Sequence, residues 1–179
     1  MKYIPTYIVT KFLDINFTKL YESGKRIILT DLDNTLVSYF ESIPNNDLIK
    51  LNSLLREMGF KIYIISNNNH QRVETFIKEF KVDGYLSHAY KPYAFKLNSF
   101  IRKNNLNKQD IIFIGDQLLT DIKCANKAKL DSVLVKSLSR SSEKWYTTIN
   151  RKREKFILRR IKKIDINKYE EIERLINNE

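Results

Sequence analysis

The chain has 179 residues, of which 42% are hydrophobic and 30% charged, and its formal net charge is +11. This length and composition predict one folded domain with a sizeable core rather than a disordered chain. No stretch approaches the roughly 18 uncharged apolar residues of a membrane span, and the N-terminus lacks the long apolar stretch of a signal peptide. The single cysteine, Cys124, cannot form an internal disulfide, so the sequence favours a soluble, cytoplasmic protein.

Short apolar runs alternate with helical patterns along the chain, which is typical of β-α-β units. The predicted elements are, in chain order, strand 26–31, helix 48–58, strand 61–66, helix 73–80, strand 84–87, helix 95–101, strand 110–116, helix 120–128 and strand 132–135. The strands do not alternate between apolar and polar residues, as expected of strands that are buried on both faces. The predicted fold class is therefore α/β, a Rossmann-like, mostly parallel sheet of about five strands with helices on both faces.

Two aspartates leave the first predicted strand, Asp31 at its end and Asp33 two residues later. In open parallel sheets, ligands bind in the crevice at the carboxyl ends of the strands. Two carboxylates so close are unfavourable unless a cation lies between them or one is protonated. Either remedy suits phosphoryl transfer, in which one carboxylate binds a metal and attacks phosphorus while the other donates a proton to the leaving oxygen.

A second acidic pair follows the predicted strand 110–116. Asp116 ends that strand, and Asp121 lies in the first turn of the helix that comes next. Oxygen ligands from Asp31 and Asp116, completed by water and a substrate phosphate, are typical of a Mg²⁺ site rather than a Zn²⁺ site. The two histidines, His70 and His88, and Cys124 lack metal-ligand spacing, so packing or surface roles are expected for them.

Two further segments could contact a phosphate. Ser66 ends the second strand, and its hydroxyl and the following backbone N–H groups suit a phosphoryl oxygen. The asparagines that follow it are also good helix caps, and both roles are compatible. Lys91 precedes Pro92, which disfavours helical geometry at Lys91 and would let its ammonium point across the crevice.

Four segments resemble, in order, the signature elements of the haloacid dehalogenase (HAD) superfamily of phosphotransferases with an aspartate nucleophile. They are Asp31-Leu32-Asp33-Asn34-Thr35, Ser66, Lys91-Pro92, and Gly115-Asp116 with Asp121. Together, the sequences of these segments resemble the YqeG-type phosphatases of subfamily IIIA, which are similar to the mitochondrial phosphatidylglycerophosphate phosphatase. The resemblance implies a Rossmann-like fold, dependence on Mg²⁺ and, less directly, a phospholipid head group as substrate.

The same resemblance assigns roles to individual residues. It implies that Asp31 becomes phosphorylated and that Asp33 is the general acid and base, with its backbone carbonyl on Mg²⁺. Ser66 and the Asn67 amide would hold the transferring group, and Lys91 would offset its charge. Asp116 would bind Mg²⁺, with Asp121 supporting the metal directly or through water. Because Asp33 is present, hydrolysis of the intermediate is expected, and a phosphatase is favoured over a non-catalytic binding protein with the same fold.

The sequence also predicts an open site and a basic extension. The two places where relatives insert a cap domain are short, so we expect a capless catalytic domain over 1–138 that accepts a phosphate on a large substrate. We expect residues 139–179 to form a basic helical extension, packed on or appended to that domain. Within 151–164, Ile157, Ile161 and Ile164 share one helical face among many basic residues.

Two interpretations of that extension stay open. A basic amphipathic helix is typical of binding to an anionic membrane, which would place the enzyme peripherally on its inner face. Alternatively, the apolar face packs on the domain and the charges are solvated.

Phosphatidylglycerophosphate is the expected substrate, and a nucleic-acid end or a phosphoprotein is the alternative. Nucleic acid is not favoured because no recognition motif with interleaved aromatic residues is present.

Overall fold

The computed structural model describes the backbone of residues 2–139 and 145–177, and the side chains of 2–139 and 153–177. The strands are β1 (Tyr7–Val9), β2 (Ile27–Thr30), β3 (Lys61–Ile65), β4 (Gly84–Leu86), β5 (Ile111–Gly115) and β6 (Asp131–Val135). The helices are α1 (Phe17–Glu22), α2 (Asn46–Glu57), α3 (His70–Ile77), α4 (Phe95–Lys103), α5 (Lys123–Ala128), α6 (Trp145–Lys162) and α7 (Ile166–Asn177).

The six strands form one parallel sheet in the order β1-β6-β5-β2-β3-β4. From β2 the chain builds outward first through β3 and β4, then on the other side through β5 and β6. The strand order therefore reverses beside β2, where α/β sheets form their ligand crevice. Thr30 at the end of β2 is aligned with Ile64 on β3 and Ile114 on β5, so the three strands end at one level.

Both faces of the sheet are covered, which confirms the predicted α/β class. Successive residues of β2 point to opposite faces, so Ile28 packs with α2 and α3 whereas Leu29 packs with α4 and α5. All four residues of β2 are buried. The described residues between β2 and α2, and between β3 and Lys91, contain no inserted domain.

The prediction of about five strands was one short. Tyr7–Val9 pairs with β6, with Tyr7 opposite Val133 and Val9 opposite Val135. This edge strand has only three residues, and all are exposed or half-buried. Pairing with a strand already in place stabilises it, and the local sequence carries little signal of its own.

The helix predictions hold with local differences. Gly59 follows α2 with φ +92°, the left-handed conformation that favours glycine after a helix. Leu54, predicted on the apolar face of α2, is 55% exposed. The helix predicted over 120–128 begins earlier, as a π-helical turn from Leu118 to Ile122 that continues into α5.

The C-terminal extension packs on the domain. Ile157 and Ile161 of α6 and Ile172 of α7 are buried against a patch formed by Leu118, Ile122 and Leu134. Ile164, the third residue of the predicted stripe, is 56% exposed. The side chains of Arg151 and Lys152, part of the predicted basic segment, lie outside the described residues. No helix in the described ranges is both long and apolar enough to cross a membrane.

Candidate active site

The carboxyl ends of four strands contribute side chains to a cavity of about 470 Å³. Asp31 follows β2, Ser66 follows β3, Lys91 comes after β4, and Asp121 comes after β5. Asp33 also lines the cavity. The structure therefore brings together residues that lie up to 90 positions apart in the chain, from Asp31 to Asp121. This agrees with the prediction that residues at the ends of the parallel strands meet at one edge of the sheet.

Three buried carboxylates form the centre of the site. Asp31, Asp116 and Asp121 each offer an oxygen, and these oxygens all lie within 4.8 Å of one another. The three residues are only 7%, 4% and 1% exposed, respectively. Three hard oxygen donors at this spacing fit Mg²⁺, which prefers carboxylate, water and phosphate ligands.

The turn after β5 is built to bring Asp121 close to the strand end. A Cβ on Gly115 would lie 2.4 Å from the Cβ of Asp121, so only glycine permits this approach. The backbone N–H of Gln117 donates to Asp121 Oδ2 at 3.0 Å and fixes the carboxylate. The π-helical turn thus holds an Asp121 oxygen within 4.8 Å of an Asp116 oxygen.

Lys91 joins two of these carboxylates. Its Nζ lies 2.5 Å from Asp31 Oδ1 and 2.7 Å from Asp121 Oδ1, and its side chain is 2% exposed. The Asn67 side chain holds the Lys91 backbone, since Asn67 Oδ1 accepts from Lys91 N at 2.7 Å and Asn67 Nδ2 donates to Lys91 O at 2.9 Å. The sequence predicted a phosphate contact for the Asn67 amide, and it missed this bracing of Lys91.

The electrostatics of the cluster follow from its burial. Burial raises the pKa of Asp31 well above its usual value, and the carboxylates of Asp121, Asp116 and Asp33 raise it further, while Lys91 opposes both effects. For Lys91, burial alone would lower the pKa, but the adjacent carboxylates of Asp121 and Asp31 outweigh it and raise that pKa. Added positive charge at this site would therefore be stabilising.

Ser66 lies beside the cluster and is 1% exposed. Its Oγ accepts a hydrogen bond from the Asn68 backbone N–H at 3.0 Å, which leaves its own proton to donate into the cavity. Asn69 caps α3 by accepting from the Arg72 N–H at 2.9 Å. Both the helix-capping and the polar-contact interpretations of this segment are thus compatible with the structure.

Asp33 does not join the three-carboxylate cluster through its side chain. Arg72 holds Asp33 Oδ1, with Nε at 2.9 Å and Nη2 at 2.8 Å, and Asn68 Nδ2 donates to Asp33 Oδ2 at 3.1 Å. Arg72 Nη2 also donates to the carbonyl of Glu41 at 2.7 Å. Sequence reasoning missed Arg72, because nothing in its position on a helix marks it as a partner of Asp33.

Two residues of α6 also reach the site, and sequence reasoning missed both. Arg153 lines the cavity. Glu154 is 5% exposed, and its Oε1 accepts from the backbone N–H of Leu119 in the π-helical turn at 3.2 Å. The sequence signal for both was only a basic helix, which did not indicate where α6 packs.

The two histidines and Cys124, for which packing or surface roles were expected, are not among the residues that line the cavity. His70 contacts Glu74 and Tyr85 on the surface, with Nε2 3.1 Å from Glu74 Oε1. His88 lies in the loop after β4, where its carbonyl accepts from Lys96 Nζ at 2.9 Å. Cys124 is buried on α5.

Known proteins with similar sequences include hydrolases and phosphatases. Residues 41–135 match the model of the family described as haloacid dehalogenase-like hydrolase. The chain is 35% identical over 161 residues to "Probable phosphatase YqeG" of Bacillus subtilis, covering 90% of this chain and 92% of that protein. It is also 23% identical over 111 residues to "Glyceraldehyde 3-phosphate phosphatase" of Pyrococcus abyssi, covering 58% of this chain and 46% of that protein.

Solved structures show the same fold at low sequence identity. A Bacteroides fragilis protein, whose name describes a haloacid dehalogenase-like hydrolase, aligns with a TM-score of 0.55 at 14% identity, covering 65% of this chain and 90% of that one. A Porphyromonas gingivalis protein, whose name describes a HAD-like hydrolase, aligns with a TM-score of 0.52 at 12% identity, covering 72% of this chain and 97% of that one. With a carboxylate cluster at the expected strand ends and a YqeG relative along nearly its whole length, the chain belongs to the haloacid dehalogenase-like hydrolases and is a phosphatase of that family.

Proposed function

We propose that this phosphatase hydrolyses phosphomonoesters with Mg²⁺ through a phosphorylated aspartate, Asp31. The observation that carries the proposal is the cluster of Asp31, Asp116 and Asp121, whose oxygens lie within 4.8 Å of one another beside a buried lysine. Asp31, Asp116, Asp121 and the Asp33 carbonyl are the groups proposed to hold Mg²⁺. The bound ion would supply charge neutralisation for the transferring phosphoryl group.

The chain's own residues divide the reaction into two steps. In the first step an Asp31 oxygen forms a bond to phosphorus while the bond from phosphorus to the leaving oxygen breaks, and Asp33 gives its proton to that oxygen. In the second step Asp33 takes a proton from water, whose oxygen attacks the same phosphorus. The bond to Asp31 then breaks, which releases phosphate and regenerates the Asp31 carboxylate and the protonated Asp33.

Ser66 and Lys91 stabilise the transferring group in both steps. The Ser66 hydroxyl would donate to a phosphoryl oxygen, and the Lys91 ammonium offsets negative charge between Asp31 and the incoming phosphate. Most of the rate enhancement is then positioning and charge stabilisation in a fixed site.

For the substrate, we propose the phosphomonoester of a phospholipid head group, phosphatidylglycerophosphate in the first place. Two features support it. In the described residues between β2 and α2, and between β3 and Lys91, no cap is present that would select small metabolites. Aromatic rings are also exposed near the cavity: Tyr93, which lines it, is 61% exposed, and Phe40, which follows the cavity-lining Tyr39, is 77% exposed. Aromatic side chains suit the boundary between water and lipid, and the excess of basic residues suits an anionic surface.

Phosphate release from two substrates tests the proposal. With Mg²⁺, wild-type protein should release phosphate from phenyl phosphate and from phosphatidylglycerophosphate in mixed micelles, and chelation or Asp31→Asn should abolish both. The Lys103→Met variant, changed at an exposed residue of α4, should behave as wild type. Turnover of phenyl phosphate without the lipid would refute the lipid assignment alone. Failure to hydrolyse either compound would refute the enzyme mechanism.

A further inference from the structure

Part of the active-site cavity is not used by the proposed chemistry. Beyond Asp31, Ser66 and Lys91, the cavity wall includes Lys123 from α5 and Arg153 from α6. At about 470 Å³ the cavity holds much more than one phosphoryl group. The cavity therefore has room for the group attached to the transferred phosphate, and these two cations form part of the wall around that space.

The two cations are available to a ligand. Among the described residues, no carboxylate lies within 4.0 Å of Lys123 Nζ or of the Arg153 guanidinium, whereas Lys91 is held by two. Lys123 is half-buried, and its Nζ lies 5.3 Å from the ring centre of Tyr3. A half-buried ammonium without an anionic neighbour has lost part of its hydration, so it gains more than a surface lysine when an anion approaches.

We propose that Lys123 and Arg153 form a second anion subsite, which selects phosphomonoesters that carry a second phosphoryl group on the leaving side. This inference rests on the proposed function, since it places the leaving group relative to Asp31. A guanidinium matches two phosphate oxygens at once, and an ammonium adds a compact charge. A phosphoryl group offers both residues oxygen acceptors and negative charge.

The two halves of the subsite come from different parts of the fold. Lys123 begins α5, directly after the π-helical turn that carries Asp121. Arg153 comes from α6, which lies beyond the residues 41–135 that match the family model. The C-terminal extension thus contributes to substrate selection as well as covering the apolar patch at Leu118, Ile122 and Leu134.

The test compares two soluble phosphomonoesters. Phenyl phosphate has one phosphoryl group, and deacylated phosphatidylglycerophosphate has a phosphomonoester and a phosphodiester. Lys123→Met and Arg153→Gln should each lower kcat/KM for the second compound more than for the first, by about tenfold for Lys123 and less for the exposed Arg153, chiefly through KM. Arg159→Gln, an exposed residue of α6 outside the cavity, is the matched control and should leave the ratio of the two unchanged.

A binding measurement separates this inference from the proposed function. In calorimetry, the Asp31→Asn protein should bind deacylated phosphatidylglycerophosphate more tightly than the double variant Asp31→Asn, Lys123→Met does. This difference is expected whether or not the wild type hydrolyses that compound. Equal ratios in all variants, together with equal binding, would overturn the subsite even if phenyl phosphate hydrolysis is normal. Repeating the assay with the acylated lipid in micelles identifies the source: a Lys123-dependent preference for the lipid supports a membrane substrate, and an equal preference supports a soluble one.

Discussion

Replacing Lys91 by methionine tests how the acidic cluster is held together. Methionine keeps most of the side-chain volume but removes the ammonium that lies 2.5 Å from Asp31 and 2.7 Å from Asp121. Since those carboxylates raise the pKa of Lys91, the charged lysine stabilises the folded protein, and this contribution is fully present at neutral pH.

The expected loss is large because the lysine is buried. Removing one partner of a buried ion pair leaves an uncompensated buried charge and typically costs about 3–5 kcal/mol. Here two carboxylates lose their cation while Asp116 stays nearby. We therefore expect the free energy of unfolding in EDTA to fall by about 4 kcal/mol. Mg²⁺ should restore part of this loss, because a bound divalent ion stabilises only the folded state and replaces the missing positive charge.

Urea unfolding in EDTA and in Mg²⁺ measures both effects. Lys103→Met, at an exposed position of α4, is the control and should shift the free energy of unfolding by less than about 0.5 kcal/mol. A Lys91→Met protein as stable in EDTA as the wild type would refute the reasoning. So would a variant that Mg²⁺ stabilises less than it stabilises the wild type.

Three further predictions concern residues around the cluster. Arg72→Ala removes the ion pair that holds Asp33, so kcat should fall. The fall should be smaller than in Asp33→Asn, for which the loss of acid–base catalysis should lower kcat by a factor of about 10²–10⁴. Equal kcat in wild type and Arg72→Ala would contradict this prediction. Glu154→Ala removes the acceptor of the Leu119 N–H, so the free energy of unfolding should fall by about 1–3 kcal/mol. Half-maximal activity should also require a higher Mg²⁺ concentration. Glu154→Gln, which keeps an acceptor oxygen, should recover part of both losses. Burial raises the pKa of the Cys124 thiol to about 12, so a thiol reagent at pH 8 should label the protein only after denaturant is added, and rapid labelling of the native protein would contradict the packing.

The sequence predicted the central sheet and the positions of the candidate site residues because both depend on local patterns. Buried parallel strands are continuous apolar runs, and Asp31, Ser66 and Asp116 each follow such a run directly. The sheet geometry then brings the strand ends together, whatever the rest of the chain does. The edge strand Tyr7–Val9 was missed because it forms through pairing with β6.

The remaining parts of the site depend on long-range packing. Arg72 reaches Asp33 across 39 positions, and Glu154 reaches Leu119 across 35. Periodicity predicted an apolar face for α6, but it could not predict whether that face would meet lipid or protein. In the structure Ile157 and Ile161 pack on the domain, and this packing places Arg153 at the cavity.

Locating the phosphorylated residue tests the mechanism most directly. An Asp33→Asn protein mixed with Mg²⁺ and phenyl phosphate, then quenched in acid and examined by peptide mass spectrometry, should carry phosphate on Asp31, because the water that hydrolyses the intermediate lacks its base. The double variant with Asp31→Asn should carry none. Phosphate on another residue, or release of phosphate that continues after Asp31→Asn, would contradict Asp31 as the nucleophile.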